Sequence, residues 1–206
     1  FIVSNTVMPP YIITLAMQNI LRGFAYLIAG GVAIKVNNDA FYKFGNSYVL
    51  GIPIPVIVFA VIGVILAIIL ERTVFGRHMV AVGGNIEAAR YAGINIKKVK
   101  IIGYMVSGSL AALAGVIVAS RVYSGQPTAG QGFESDAIAS AVLGGTSFNG
   151  GRGSIGGTII GILIIAIVAN GLNLLEVPYY WQTVVKGLVI MLAVYYDTEK
   201  QRRTVG

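Results

Sequence analysis

The stretch "PIPVIVFAVIGVILAIILE", residues 53–71, carries no charge before its final glutamate. A helix rises about 1.5 Å per residue, so about 20 residues cross the hydrocarbon core of a bilayer. This stretch is therefore long enough to span a membrane as one helix. Five long apolar stretches and one shorter stretch are present, at 11–31, 53–71, 101–120, 155–175 and 178–196, with the shorter one at 134–148. The sequence predicts an all-α fold, a polytopic transmembrane helix bundle of about six membrane segments with one segment short or broken.

The composition supports a membrane protein and argues against several other classes. Hydrophobic residues make up 56% of the chain and charged residues 11%, whereas a soluble domain carries roughly 25% charged residues. The chain has no cysteine and a single histidine, His78, so we expect no thiolate or histidine metal site. The eight acidic residues lie in loops or at the ends of apolar stretches, so we predict no catalytic residue. Apart from the basic loops, the sequence shows no basic face, so we expect no nucleic-acid partner.

The distribution of basic residues predicts the topology. Six of the 15 lysines and arginines lie between residues 72 and 100, and three more lie at 200–203. The positive-inside rule places both regions in the cytoplasm, so an even number of crossings must separate them. Only three long apolar stretches lie between them, so the short stretch 134–148 must cross as well. Glu134 and Asp136 are expected at the N-terminus of this short helix, where the helix dipole favours acidic residues.

The stretch "LGGTSFNGGRGSIGG", residues 143–157, contains Gly151-x-Gly153-x-x-Gly156. A dinucleotide fingerprint needs a strand before it and an acidic residue about 20 positions later, and neither is expected here. Close helix packing explains the glycines better, because small residues let helices approach each other in lipid. We predict two rows of small packing residues, which are Gly153, Gly157 and Gly161 in one row and Gly103, Ser107 and Gly115 in the other.

The cytoplasmic loop at about 73–100 shows the signals of a short helix. Asn85 is suited to the N-cap and Gly93 to the position after the C-cap, which predicts a helix near 86–92. Isolated helices shorter than about 12–15 residues are marginal in water, so another surface should hold this one. It is either a turn resting on lipid headgroups or a docking element for a cytoplasmic partner.

Three motifs, "AVGGNIEAARYAGINIKKVK" (81–100), "DAIASAVLGGTSFNGGRGSIGGTIIG" (136–161) and "NGLNLLEVPYYWQTVVKGLVIMLAVYYD" (170–197), occur in order. Together they resemble the membrane permease subunit of ribose- and galactose-type ABC importers, and "PPYIITLAMQNILRGFAYLIAGG" (9–31) fits an earlier span of that family. Members of the family are longer, so the chain is expected to be one permease domain, 1–206, that lacks its N-terminal portion.

The resemblance implies several partners and a location. These are a second permease copy, a cytoplasmic ABC ATPase, an extracytoplasmic sugar-binding protein and the lipid of the bacterial cytoplasmic (inner) membrane. It also implies that ATP binds to the ATPase and that this chain holds no cofactor. The ATPase-coupling residues carried over by motif are Gly84, Asn85, Ala88, Ala89, Arg90 and Gly93.

Polar residues inside the apolar stretches are candidates for a sugar path. Thr14, Gln18 and Arg22 are four apart and share a helix face, and Asn170 and Asn173 share another. Hydrogen bonding between helices is the alternative role for these groups, and for Gln182 and Lys186. The aromatic run Tyr179, Tyr180 and Trp181 suits the membrane interface.

Two other functions remain open from the residues. A passive channel or facilitator for small polar solutes is the main alternative, and a membrane-embedded enzyme is a weaker one. A facilitator has no need of a capped cytoplasmic helix, and an enzyme would need clustered intramembrane acids.

Overall fold

The computed structural model describes residues 2–6 and 8–205, and for residues 179, 190, 193 and 196–205 it describes the main chain only. The described residues are mostly helical. The helices in chain order are α1 (Ile2–Asn5), α2 (Pro10–Ala29), α3 (Asp39–Asn46), α4 (Ile54–Arg72), α5 (Val74–Gly84), α6 (Ile86–Tyr91), α7 (Ile96–Val122), α8 (Phe133–Leu143), α9 (Ile155–Leu174) and α10 (Tyr179–Val205). The all-α fold predicted from the sequence is confirmed.

Within the described residues, four two-residue strands accompany the helices. They are β1 (Ile34–Lys35), β2 (Tyr48–Val49), β3 (Ile52–Pro53) and β4 (Ser124–Gly125). β1 pairs antiparallel with β4, and β2 pairs antiparallel with β3 across the turn at Leu50 and Gly51.

Among the described residues, four helices are long and apolar enough to cross a bilayer. They are α2, α4, α7 and α9, and they hold 19 to 27 residues each. Residues 179–196 of the apolar stretch 178–196 fall within α10. The structure describes only the main chain for part of this helix, so its crossing remains a prediction. Most large apolar side chains on α2, α4, α7 and α9 are exposed in the single chain, as expected for helices whose surfaces face lipid or other membrane helices.

Short polar side chains begin many of these helices. Thr73 caps α5, Asn85 caps α6, Asn95 caps α7 and Ser154 caps α9, and each side chain accepts a hydrogen bond from a main-chain N–H of the first turn. Such caps satisfy donors that the helix itself leaves unpaired. Local sequence therefore sets where these elements start.

The chain divides into two compact units, and unit 1 is made of Phe1–Ile62 and Asn95–Gln131. In this unit α3 packs against the end of α7. Ser120 is fully buried and its hydroxyl donates to the carbonyl of Phe41, while the amide of Asn46 donates to the Ser120 carbonyl at 3.1 Å. These bonds fix α3, which the sequence analysis did not predict, on α7.

Unit 2 is made of Gly63–Ile94 and Gly132–Gly206. Its centre is the packing of α8 against α9 and α10. Ala139, Ser140 and Val142 of α8 are buried, and so are Gly161 and Ile165 of α9. The 11 residues of α8 rise about 16 Å, roughly half of a bilayer core, so the predicted short segment is observed as a short helix.

The glycine row predicted for the start of α9 is partly wrong. Ser154 is the N-cap of α9, and its hydroxyl accepts from the Gly157 N–H at 3.3 Å. Gly153 therefore precedes the helix and cannot share a ridge with Gly157 and Gly161, which do lie in α9.

Candidate functional site

The six-residue helix α6 is closed at both ends as the sequence predicts. The Asn85 side chain accepts from the Ala88 N–H at 3.0 Å. After the helix, Gly93 adopts a φ of +77°, and the Ile94 N–H donates to the Ala89 carbonyl at 3.1 Å. This is the glycine-closed end typical of helix C-termini. The helix is one residue shorter than the predicted 86–92.

The two faces of α6 differ sharply in exposure. Ala89 is only 3% exposed, so it faces its own chain, and among the helices α6 packs mainly against α5. Tyr91, nearly opposite Ala89 on the helix, is 88% exposed. Ile86 is 42% exposed, and Ala88 is exposed as well. Of the residues assigned to coupling by motif, Ala89 therefore supports the helix from inside, while Ala88 is available to a partner.

The charged residues of α6 pair with each other on its surface. Arg90 and Glu87 lie 3.1 Å apart, with more than 60% of each side chain exposed. An exposed pair of this kind contributes little stability, so both groups can reach a partner at small cost. The sequence analysis did not predict Ile86 and Tyr91 as contact residues. Their apolar side chains on a short helix outside the membrane spans could have indicated such a role.

The glycine turn at 150–151 packs directly against the end of α5, which leads into α6. A Cβ placed on Gly83 would lie 2.7 Å from the main-chain nitrogen of Gly151, and one placed on Gly151 would lie 2.7 Å from the Gly84 Cα. A Cβ on Gly150 would lie 2.5 Å from the Gly83 carbonyl oxygen. Main chain therefore meets main chain at this point, with no room for a side chain between them.

A second glycine contact joins α8 to α9. Cβ atoms on Gly157 and Gly161 would overlap the carbonyl oxygens of Gly144 and Ser140 respectively. Both glycines thus permit the close approach of helix backbones that the sequence predicts for them.

The predicted packing row on α7 has no such neighbours. Apart from the neighbouring backbone of α7 itself, no described atom lies within 4 Å of a Cβ placed on Gly103 or Gly115, and Ser107 is exposed. A packing role for this row requires another surface and stays a prediction.

The polar stripe on α2 lies on one helix face, as predicted. The Thr14 hydroxyl donates to carbonyls of its own helix, at 3.1 Å to Pro10 and 3.0 Å to Tyr11. Gln18 and Arg22 are half-buried one and two turns further along.

The asparagines of α9 lie near its C-terminal end. Asn170 is exposed, whereas Asn173 accepts from the Gln182 side-chain amide at 2.9 Å. Gln182 also donates to the Val177 carbonyl at 2.8 Å. These bonds close the corner between α9 and α10, which favours the inter-helix role for Asn173. In the aromatic run that follows, Tyr180 and Trp181 are exposed, and the Tyr179 side chain lies outside the description.

An ion pair that sequence reasoning missed joins α8 to α10. The ammonium of Lys186 lies 2.8 Å from a carboxylate oxygen of Asp136, and each side chain is about 30% exposed. Asp136 lies in the first turn of α8, as predicted for the acids there. The partners are 50 residues apart, and no local pattern signals such a pairing.

One tyrosine in unit 1 has a perturbed pKa. Partial burial and the nearby Asp39 carboxylate, 3.4 Å from the hydroxyl, raise the pKa of Tyr123. The Tyr123 ring also meets Tyr42 edge to face at 5.0 Å. This cluster holds the start of α3 beside the end of α7 and brings no candidate site residue with it.

These features define a multi-pass helical membrane protein with a capped helix outside its spans. The chain belongs to the family described as "Branched-chain amino acid transport system / permease component", which matches residues 1–194. No solved structure gives a significant match.

The chain is similar to several sugar permeases. The chain is 48% identical to the ribose import permease protein RbsC of Bacillus subtilis over 201 residues, 97% of this chain and 62% of the relative. It is 41% identical to the L-arabinose transport system permease protein AraH of Escherichia coli over 207 residues, 100% of this chain and 63% of the relative. It is 48% identical to the xylose transport system permease protein XylH of Haemophilus influenzae over 180 residues, 87% of this chain and 45% of the relative. The resemblance seen in the sequence is confirmed, and the chain spans less than two thirds of the length of these relatives.

Proposed function

We propose that the chain is the larger part of the permease subunit of an ATP-binding-cassette importer for a sugar or a related small polar solute. Identities of 41–48% to ribose, arabinose and xylose permeases favour a sugar over the amino acids of the family description. The observation that carries the proposal is α6, a short helix capped at both ends and supported from inside by the buried Ala89, with Tyr91 and Ile86 exposed on its surface.

The partner of α6 in this proposal is a cytoplasmic ABC ATPase. Tyr91 is exposed beside the charged pair Glu87 and Arg90, and Ile86 is exposed on the other side of that pair. Aromatic anchors with a polar rim are characteristic of protein interfaces. ATP binds to that ATPase, so this chain is a non-catalytic subunit without a cofactor of its own.

The remaining partners follow from the same assignment. An extracytoplasmic sugar-binding protein delivers the solute, and a second permease copy completes the path in the bacterial inner membrane. The polar face of α2, with Gln18 and Arg22, is proposed to line that path. The row of Gly103, Ser107 and Gly115 on α7 is proposed as a close-packing surface for another membrane helix.

Reconstitution of the full-length permease tests this function. With its ATPase and binding protein in proteoliposomes, uptake of ribose, arabinose or xylose should require ATP and should proceed against a gradient. Uptake that only equilibrates the sugar and ignores ATP would establish a facilitator instead.

A substitution at Tyr91 tests whether α6 binds the ATPase. Tyr91→Ala should weaken ATPase binding by about tenfold, because truncation of a central interface tyrosine costs more than 1 kcal/mol. Tyr48→Ala, which truncates another exposed tyrosine on β2, is the control and should bind the ATPase normally. Equal binding by both variants would place the ATPase on a different surface.

A further inference from the structure

We propose that the turn Gly150–Gly151 is the contact through which movement of α6 reaches the α8–α9 hairpin and its ion pair with α10. The proposal rests on the proposed function, since it takes an ATPase as the source of the movement. It assigns a function to the glycine turn, which binding of an ATPase to α6 does not by itself explain.

The first step is the contact between the turn and the two glycines that precede α6, Gly83 and Gly84. Gly83 and Gly84 end α5, and Asn85 is at once the C-cap of α5 and the N-cap of α6. Gly150 and Gly151 meet those two glycines main chain to main chain. No side chain lies between these glycines that could change rotamer and absorb a movement. A displacement of Gly83 and Gly84 must therefore displace the turn or break the contact.

The second step is the attachment of the turn to the hairpin. The Ser147 N–H donates to the Arg152 carbonyl at 3.0 Å, and the Ser147 hydroxyl accepts from the Asn149 N–H at 3.2 Å. Ser147 is only 8% exposed. These hydrogen bonds close the base of the turn, so the turn has a defined conformation and is not a loose loop on the hairpin.

The third step is the stiffness of the hairpin. Gly157 and Gly161 of α9 lie against the main chain of Gly144, the C-cap of α8, and of Ser140 within α8. Backbones packed this closely slide poorly past each other, so α8 and α9 should move together.

The last step is the far end of α8. Asp136 in the first turn of α8 pairs with Lys186 of α10 at 2.8 Å. A rigid displacement of α8 therefore changes the distance of this pair, which two half-buried charges can hold in only a narrow range of geometry. The contacts thus connect α6 to a polar junction at the opposite end of α8.

The substitution Gly83→Ala tests the contact in the full-length permease reconstituted with its ATPase and binding protein. Its Cβ would meet the Gly151 nitrogen at 2.7 Å, whereas the Cβ of Gly156→Ala, a helical control at the start of α9, has its nearest neighbour at 3.8 Å. For Gly83→Ala we expect sugar uptake to fall about tenfold, a normal size for lost coupling between sites, while ATPase binding stays within about twofold. Uptake by Gly83→Ala equal to that of Gly156→Ala overturns the proposal.

A measurement without a disruptive substitution covers the case in which Gly83→Ala fails to assemble. Spin labels are placed on Ala92→Cys, the C-cap of α6, and separately on Arg152→Cys, which follows the glycine turn directly; both positions are exposed. Trapping the ATPase with ATP and vanadate should change the spectra of both labels. A change at Ala92 with none at Arg152 overturns the proposal and leaves the proposed function standing. An ATPase that does not bind the permease overturns both.

Discussion

The ion pair between Asp136 and Lys186 joins two helices through a single pair of side chains. They lie 2.8 Å apart and join α8 to α10 in unit 2. Removing one partner leaves the other charge half-buried, which costs more than losing both together. The pair should therefore show strong coupling in a double-mutant cycle.

We predict that Lys186→Met lowers the free energy of unfolding in detergent by about 1–3 kcal/mol, between the values for exposed and buried pairs. The double variant Asp136→Asn/Lys186→Met should recover part of that loss. The matched control is the exposed pair Glu87–Arg90, where Arg90→Met should cost less than about 0.5 kcal/mol. Additive losses at Asp136 and Lys186 would show that the ion pair does not couple the two helices.

At the scale of elements, the α8–α9 hairpin depends on glycines at particular points of close approach. A Cβ on Gly161 would overlap the Ser140 carbonyl, whereas a Cβ on Gly171 of the same helix meets nothing within 4 Å. The two positions are therefore a matched test of packing against helix propensity.

We predict that Gly161→Ala destabilises the protein by about 1–3 kcal/mol through overpacking, as measured by thermal or denaturant unfolding in detergent. Gly171→Ala should be neutral or stabilising by up to about 1 kcal/mol, since alanine favours the helix. Equal free energies of unfolding for the two variants would contradict the role of Gly161 in close packing of the hairpin.

The elements also show where sequence reasoning succeeded. The limits of α6 were predicted to within one residue because Asn85 and Gly93 act locally, through bonds to residues three to five positions away. Close packing at Gly157 and Gly161 was predicted from their spacing, and Gly153 was included wrongly because Ser154 starts the helix. The contact of Gly151 with Gly83 and the burial of Ala89 could not be predicted, because each depends on where distant segments pack.

At the scale of the whole molecule, the central claim is that a permease presents α6 to an ATPase in the cytoplasm. The basic residues between 72 and 100 predict that this loop lies on the cytoplasmic side of the membrane. α4 has the length and hydropathy to separate this loop from the β2–β3 turn. The two regions should therefore react with an impermeant reagent from opposite sides of the membrane.

Site-directed labelling in inside-out and right-side-out membrane vesicles tests this claim most directly, with the full-length permease freed of any cysteine outside this chain. Ala88→Cys, exposed on α6, should react with an impermeant maleimide only in inside-out vesicles, and added ATPase should slow the reaction about tenfold, because a docked partner covers the site. Tyr48→Cys on β2 should react only in right-side-out vesicles and should ignore the ATPase. Labelling of Ala88→Cys from the outside, or at a rate that the ATPase leaves unchanged, would contradict the account.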